Sequence, residues 1–273
     1  MKSEVMRFED VNGVTVLRYK IFDKYDFINH AVSTRKGGVS SGEALASLNL
    51  GLSTGDNPEN VLENYRRFCN AAGFDINSAV TAKQTHSDNI RIVTDSDRGK
   101  GTVRQRDYDN IDALITDIPG IPLVVHMADC VPVTFADTKN RAVGNAHCGW
   151  RGTYKELACK TLSAMVQNYG TNPADVVCAI GPCICGKCYE VSRELYDDFK
   201  EKFGFDDAIL CIRGKYYLDL ALINRHLLER CGVPAENIVV SDICTCCNCD
   251  EMYSHRGLGK ERGILASIIC IGK

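Results

Sequence analysis

The sequence predicts a chain of mixed strands and helices folded as one domain over residues 1–273. Three observations predict it. Short apolar runs of strand length, residues 123–127, 131–136 and 141–146, follow one another through the middle of the chain. Stretches of helical periodicity with recognisable starts and stops stand before and after them. The 273 residues, 45% hydrophobic, show no repeat, low-complexity tract or linker, and a chain of this size buries enough surface for one core.

Taken in order, residues 14–19 alternate like an edge strand and 28–33 read as a second strand. Residues 33–40, Ser-Thr-Arg-Lys-Gly-Gly-Val-Ser, form a glycine-paired loop, in which Arg35 is either a solvated charge or an anion contact beside backbone N–H groups. Asp56, Asn57 and Pro58 start a helix carried by Val61, Tyr65, Phe68 and Ala72 and stopped by Gly73. Residues 80–84 are a short strand followed by Thr85 and His86, and 90–93 is another. The polar stretch 94–110, rich in Asp, Arg and Gly, is expected to be a surface loop or mobile flap, and regular structure resumes over 111–116. The three central runs set Cys130 and His147 just past strand ends, where a rigid scaffold holds side chains within reach of solvent. After a turn at 149–152, Thr153 is expected to cap a helix carried by Leu157, Ala158, Leu162, Met165 and Val166 and closed by Gly170. A strand at 176–180, helices at 192–203 and 218–231, a strand at 238–241 and a buried strand at 264–271 complete the chain.

A net charge of −3 without a basic run argues against a nucleic-acid partner. The first residues lack an apolar core of signal-peptide length, and no window approaches the ~20 apolar residues of a membrane helix. A cytoplasmic protein without membrane contact is expected. Fifteen cysteines, an odd number in a chain read this way, point to reduced thiols, many of them small buried hydrophobes.

His86, Cys130 and His147 each follow a strand. A catalytic zinc needs three N, S or O ligands and one open position, and imidazole with thiolate suits zinc, with copper as a competitor. The spacing alone leaves other readings open: a core histidine and a buried thiol, or a nucleophilic Cys130 with His147 as partner and Asp129 or Asp137 as orienter. A multicopper oxidase is disfavoured, since six histidines include no His-x-His pair. Cys183, Cys185 and Cys188, with Cys244, Cys246, Cys247 and Cys249, could build a second thiolate site, although their irregular spacing argues against it.

Together, Ser-Thr-Arg-Lys-Gly-Gly-Val-Ser, Leu-Asn-Leu-Gly, Lys-Gln-Thr-His, Ala-Asp-Cys-Val-Pro-Val, Ala-His-Cys-Gly-Trp-Arg-Gly, Gly-Pro-Cys-Ile with Cys-Tyr-Glu-Val, and Ser-His-Arg with Glu-Arg-Gly resemble the YfiH family, also called laccase-domain or polyphenol-oxidase proteins. These motifs run from residue 32 to 263. The resemblance implies an α+β fold, a four-layer α/β/β/α sandwich with two mixed β-sheets, similar to the catalytic domain of the cytotoxic necrotizing factors. It implies zinc, with copper possible, held by His86, Cys130 and His147. It implies phosphorolysis of adenosine, inosine, guanosine or methylthioadenosine, together with adenosine deamination, by a monomer or homodimer. The chain departs from the family at Cys148, where Ala is usual and which adds a rival thiol beside the metal, and at His255, where Tyr is common and which adds a titrating group.

Phosphorolysis requires a grip on phosphate, for which Arg35 and Arg256 are the candidates, with Asn49 and Gln84 as further substrate or phosphate contacts. Arg151 is a weaker candidate because its neighbour Trp150 suggests packing. The catalytic group is expected to comprise Cys130, His147, Asp129 and His255, with Asp129 either a general base or, preferably, the acceptor that orients a ligand histidine. A zinc there would polarise a purine ring atom or activate water, so that one centre serves both reactions. The rivals are a Cys130–His147 hydrolase or deamidase, copper-dependent phenol oxidation, and a non-catalytic metal-binding or redox protein.

Overall fold

A computed structural model describes residues 1–272. Strands β1 (Met6–Val11), β2 (Val14–Tyr19) and β3 (Ile28–Ser33) form an antiparallel meander. Helix α1 (Pro58–Ala72) follows, with Pro58 in its first turn, the Asn57 side chain accepting from Glu59 N, and Gly73 closing it at φ 76°. The chain then lays down β4 (Val80–Thr81), β5 (Ile90–Ile92), β6 (Ala113–Thr116), β7 (Leu123–Met127), β8 (Val131–Asp137) and β9 (Val143–Cys148). Helices α2 (Trp150–Tyr154) and α3 (Leu157–Tyr169) lead to β10 (Val176–Ile180), β11 (Glu190–Val191) and α4 (Arg193–Phe203). The hairpin β12 (Ile209–Ile212) and β13 (Lys215–Leu218), α5 (Leu220–Arg230), β14 (Ile238–Val240), α6 (His255–Leu258) and β15 (Leu265–Ile271) complete the order.

Two six-stranded mixed sheets result, ordered β1-β2-β3-β15-β7-β4 and β14-β10-β8-β9-β6-β5. Strand alternation sorts their side chains into layers. Leu17, Val32, Val125 and Leu265 of the first sheet meet Leu114, Val143 and Val177 of the second in the central core. The opposite face of the first sheet, with Val16, Ala31, Val124 and Ala266, packs on Val61, Tyr65 and Phe68 of α1. The opposite face of the second, with Val133, Phe135, Ala146 and Cys178, packs on Leu162 and Met165 of α3 and Leu227 of α5. The four layers expected of the α/β/β/α sandwich are present, with a small additional sheet β11-β13-β12. Buried Asn145 of β9 joins the two sheets by donating to Leu123 O at 3.0 Å and Ser267 O at 2.8 Å, because a buried amide must find partners.

Three local expectations are corrected. Residues 14–19 are not the edge: β1 covers them, and its alternation of half-buried and exposed residues hid it in the sequence. Thr153 caps no helix. It lies inside α2, its hydroxyl donating to Cys148 O and accepting from Asn224 Nδ2, while Gly149 occupies the N-cap and α3 starts after Glu156. The stretch 94–110 is the surface loop expected, anchored by fully buried Asp97, which accepts from Arg91 Nη2 at 2.7 Å, Lys100 Nζ at 2.9 Å and Thr94 N at 3.0 Å. The Arg91 guanidinium lies 4.2 Å over the Tyr108 ring of the same stretch. Finally, His147 lies within β9, one residue from its end. Among the described residues, no helix is long and apolar enough to cross a membrane.

Candidate functional site

The site gathers where β7 hands over to β8, where β9 ends, and in the loop after β4. Alternation along β9 puts Val143, Asn145 and His147 toward the first sheet, while Ala146 and Cys148 enter the helix-side core. Cys148 is therefore no rival thiol: it is fully buried away from the metal candidates, and burial raises its pKa. Cys130 precedes β8, directly after Asp129, whose backbone sits at φ 90°, a left-handed conformation unusual for a residue with a side chain.

Asp112, just before β6, organises the ligands. It is fully buried, and its carboxylate accepts the N–H groups of Thr85, His86 and Ser87 at 3.1, 3.1 and 2.7 Å and the Ser87 hydroxyl at 2.7 Å. That nest holds His86 at φ 63°. The same carboxylate takes a hydrogen bond from His147 Nδ1 at 2.9 Å. Burial works against its charge, but the bonds from His147 and Ser87 hold its pKa down at about 2. An ionised acceptor requires Nδ1 of His147 to carry the proton, which leaves Nε2 for a ligand. Asp129 was expected in this role and does not fill it. Its two oxygens accept from Thr245 Oγ1 and from Arg256 N, each at 2.6 Å. Asp137 orients neither residue, since it caps the β8–β9 turn through Lys139 N and Asn140 N. Asp112 escaped the sequence reading; the signal was a carboxylate set among Ile111 and Ala113 at the mouth of an apolar run.

The donor atoms of His86, Cys130 and His147 lie within 4.8 Å of one another, with Cys130 Sγ 3.8 Å from His86 Nε2. Burial opposes ionisation, yet the opposite charges of the pair lower Cys130 to about 6 and, with Asp112, raise His147 to about 9. The metal-free pair is thus thiolate and imidazolium, and a cation replaces the His147 proton. Two imidazoles and a thiolate fit zinc with a position to spare. Gly149 is required by proximity, for a Cβ there would stand 2.9 Å from His86 Cδ2 and 3.0 Å from Cys130 Sγ.

A cavity of about 420 Å³ opens on His86 and Cys130, with His147 buried behind them. Trp150, Ile184, Tyr189 and Leu220 give it apolar lining, and His255 lines it with the cations Arg256 and Arg262, Arg256 lying 5.4 Å over the Tyr189 ring. Arg256 donates to Cys188 O at 3.1 Å and Glu190 O at 2.9 Å, taking two of its five N–H groups. Arg262 Nε is buried with no hydrogen-bond partner among the described residues. Arg262 was not among the expected site residues, although its Glu-Arg-Gly motif was the available signal.

Three expected contacts are not brought to this cavity. Arg35 donates to Ala46 O, Cys249 O and Glu43 O at 2.9, 2.6 and 3.0 Å and lies over the Tyr253 ring, bracing loops around a separate depression. Asn49, fully buried, bonds Thr54, Asp56, Gly51 and Ile264 N. Gln84 pairs with the backbone of His126, donating to its carbonyl and accepting from its N–H at 2.7 Å each. Arg151 stacks 4.1 Å over Trp150. The other histidines are dispersed: His30 accepts from Tyr19 N, His126 bonds the Tyr65 hydroxyl, and His226 meets Asp207.

Residues 29–272 match the family model described as multi-copper polyphenol oxidoreductase laccase. The chain is 37% identical over 263 residues to a purine nucleoside phosphorylase of Bacteroides thetaiotaomicron, covering 94% of this chain and 97% of that one. It is 33% identical over 250 residues to adenosine deaminase RL5 of an unknown prokaryotic organism, covering 88% and 95%. The crystal structure of the Bacillus licheniformis hypothetical protein YfiH superposes with a TM-score of 0.89 at 34% identity, covering 97% of this chain and 98% of that one.

Proposed function

The chain belongs to the multi-copper polyphenol oxidoreductase laccase family, which includes relatives named purine nucleoside phosphorylase, and from that premise we propose that it is a zinc-dependent purine nucleoside phosphorylase that also deaminates adenosine. Adenosine, inosine, guanosine and methylthioadenosine are the substrates of this reading. The observation that carries it is the convergence of His86, Cys130 and His147 beside a cavity that His86 and Cys130 line together with Trp150, Tyr189, Arg256 and Arg262.

Breaking the C1′–N9 bond places positive character on the ribose and negative charge on the base. Trp150 and Tyr189 give a purine an aromatic lining, with Ile184 and Leu220 excluding water. Arg262, with an unpartnered Nε, and Arg256, with N–H groups beyond those its carbonyls take, grip phosphate beneath the sugar. His255 lines the same cavity, and burial together with Arg262 lowers its pKa, so it is neutral near pH 7 and able to pass a proton. His86, Cys130 and His147 would hold the metal, which when bound supplies Lewis-acid charge for the base and an activated water for deamination. Asp112 holds His147 in the ligating tautomer, and Asp129 fixes the Arg256 backbone against the Thr245 loop.

A second reading has its own observation. Cys130, His147 and Asp112 also form a thiolate–imidazolium–carboxylate series, the arrangement of a cysteine hydrolase or deamidase. Incubation with adenosine and inosine, with and without phosphate, decides between them. Free base and ribose 1-phosphate formed only with phosphate, and abolished by a chelator, support the phosphorylase. Turnover that survives chelation and dies on alkylation supports the hydrolase. Cys130→Ala and His86→Ala should each abolish phosphorolysis and lose the zinc of this centre.

A further inference from the structure

The two cysteine-rich runs hold seven cysteines, and the fold selects four of them. Cys185 and Cys188 form one Cys-x-x-Cys pair, and Cys244 and Cys247 another. Their four sulfur atoms lie within 4.8 Å of one another, with Cys188 Sγ and Cys247 Sγ 3.4 Å apart. Cys246 is outside this group, and two others are directed elsewhere. Cys183 enters the helix-side core, and the Cys249 thiol donates to Cys246 O within its own loop.

The backbone is arranged around this cluster. Cys183 and Cys244 pair as an isolated parallel bridge, and Thr245 N donates to Cys183 O at 3.0 Å, which sets the two pairs face to face. The N–H groups of Cys185 and Cys247 both donate to Cys244 Sγ, at 3.3 and 3.4 Å. Two amide donors on one sulfur favour its thiolate form. A tetrahedral ion with metal–sulfur bonds of about 2.3 Å needs sulfurs about 3.8 Å apart, inside the range observed. A disulfide would need about 2.05 Å.

We propose that Cys185, Cys188, Cys244 and Cys247 bind a second zinc ion, a structural tetrathiolate site distinct from the His86–Cys130–His147 centre. Four protein ligands leave no open position, so the site is structural. Binding releases the remaining thiol protons to solvent as each sulfur coordinates. Its effect reaches the cavity because both loops build it. The first carries Ile184 and Tyr189, and the second leads through Thr245 to His255 and Arg256. Ile184 N donates to Asp129 O at 3.0 Å and the Thr245 hydroxyl to Asp129 Oδ1, so the clamped loops also grip the residue before Cys130.

The test uses the full chain, reduced and reloaded with Zn²⁺ or Co²⁺, and compares wild type, Cys130→Ala and Cys188→Ser/Cys247→Ser by elemental analysis and absorption. The expected result is two ions in the wild type and one in each variant. The Cys130→Ala protein loaded with cobalt should show the thiolate-to-cobalt charge transfer of four sulfurs, several times as intense as that of the double variant, whose one ion keeps only the Cys130 thiolate. Those readouts are independent of nucleoside turnover, so failure of the phosphorylase reading leaves them intact. Because the double variant could misfold, wild-type alkylation is the second measurement: the four cysteines should be protected until chelator is added, while exposed Cys211 reacts throughout. A metal-free Cys130→Ala protein overturns the proposal. So does alkylation of the four sulfurs at the Cys211 rate in the zinc-loaded wild type, or a Cys188–Cys247 disulfide in the peptide map.

Discussion

Asp112 Oδ1 lies 2.9 Å from His147 Nδ1 and 3.1 Å from the backbone nitrogen of His86, so one buried carboxylate oxygen orients two of the three candidate metal ligands. Asp112→Asn removes the charge and one accepting oxygen from this nest. Metal affinity should fall roughly 10–100-fold, read by competition with a chelator. Asp129→Asn, whose carboxylate touches no ligand side chain, should retain the metal; the opposite ranking would restore Asp129 as the orienting acceptor.

Gly149 has an ordinary φ of −63°, so alanine strains no backbone there. Its methyl meets only His86 and Cys130 at close range. Gly149→Ala should therefore lower kcat/KM on the order of 100-fold by displacing the ligands, with a thermal unfolding curve close to wild type. Full activity with full metal content would show that these side chains shift freely.

The arginines should separate binding from stability. Arg35→Ala leaves the carbonyls of Glu43, Ala46 and Cys249 without their donor and should cost about 2–3 kcal/mol in denaturant unfolding, with KM for phosphate unchanged. Arg262→Gln should raise that KM about tenfold, the 1.4 kcal/mol of one charge-assisted contact. A phosphate KM that responds to Arg35 and ignores Arg262 would reverse the assignment.

Two histidines outside the ligand set should govern acid stability. Burial lowers both His30 and His126 from 6.5 to about 3, so the folded protein keeps them neutral. Above pH 6.5 neither state binds the protons and stability is full. As pH falls below 6.5 the unfolded chain takes up two protons that the folded chain refuses, and stability drops by up to about 2.7 kcal/mol per pH unit until about pH 3. Urea unfolding at a series of pH values measures the slope; a flat profile between pH 6.5 and 4.5 would mean that these rings protonate within the fold.

Local features were legible in the sequence wherever the determining contacts lie a few residues apart. The Asn57 cap, Pro58 and Gly73 delimit α1 through interactions inside one turn, and the apolar runs of β3, β7 and β10 announce themselves by composition. His86, Cys130 and His147 could be named from their places after apolar runs and from the family motifs. Their convergence could not. Asp112 reaches His147 because β6 pairs with β9 in the register Ala113 to Ala146, and no local pattern carries a register. Arg35 and Asn49 sit in motifs as marked as those of the ligands, yet the fold uses them to saturate loop carbonyls and hydroxyls. Seven clustered cysteines likewise become four converging sulfurs only when the Cys183–Cys244 bridge sets two loops side by side. The sequence by itself determined most of the longer strands and helices and which side chains have the chemistry to act, because those follow from neighbours along the chain. Which of those side chains meet was decided by the stacking and register of two sheets, since those contacts join residues far apart in sequence.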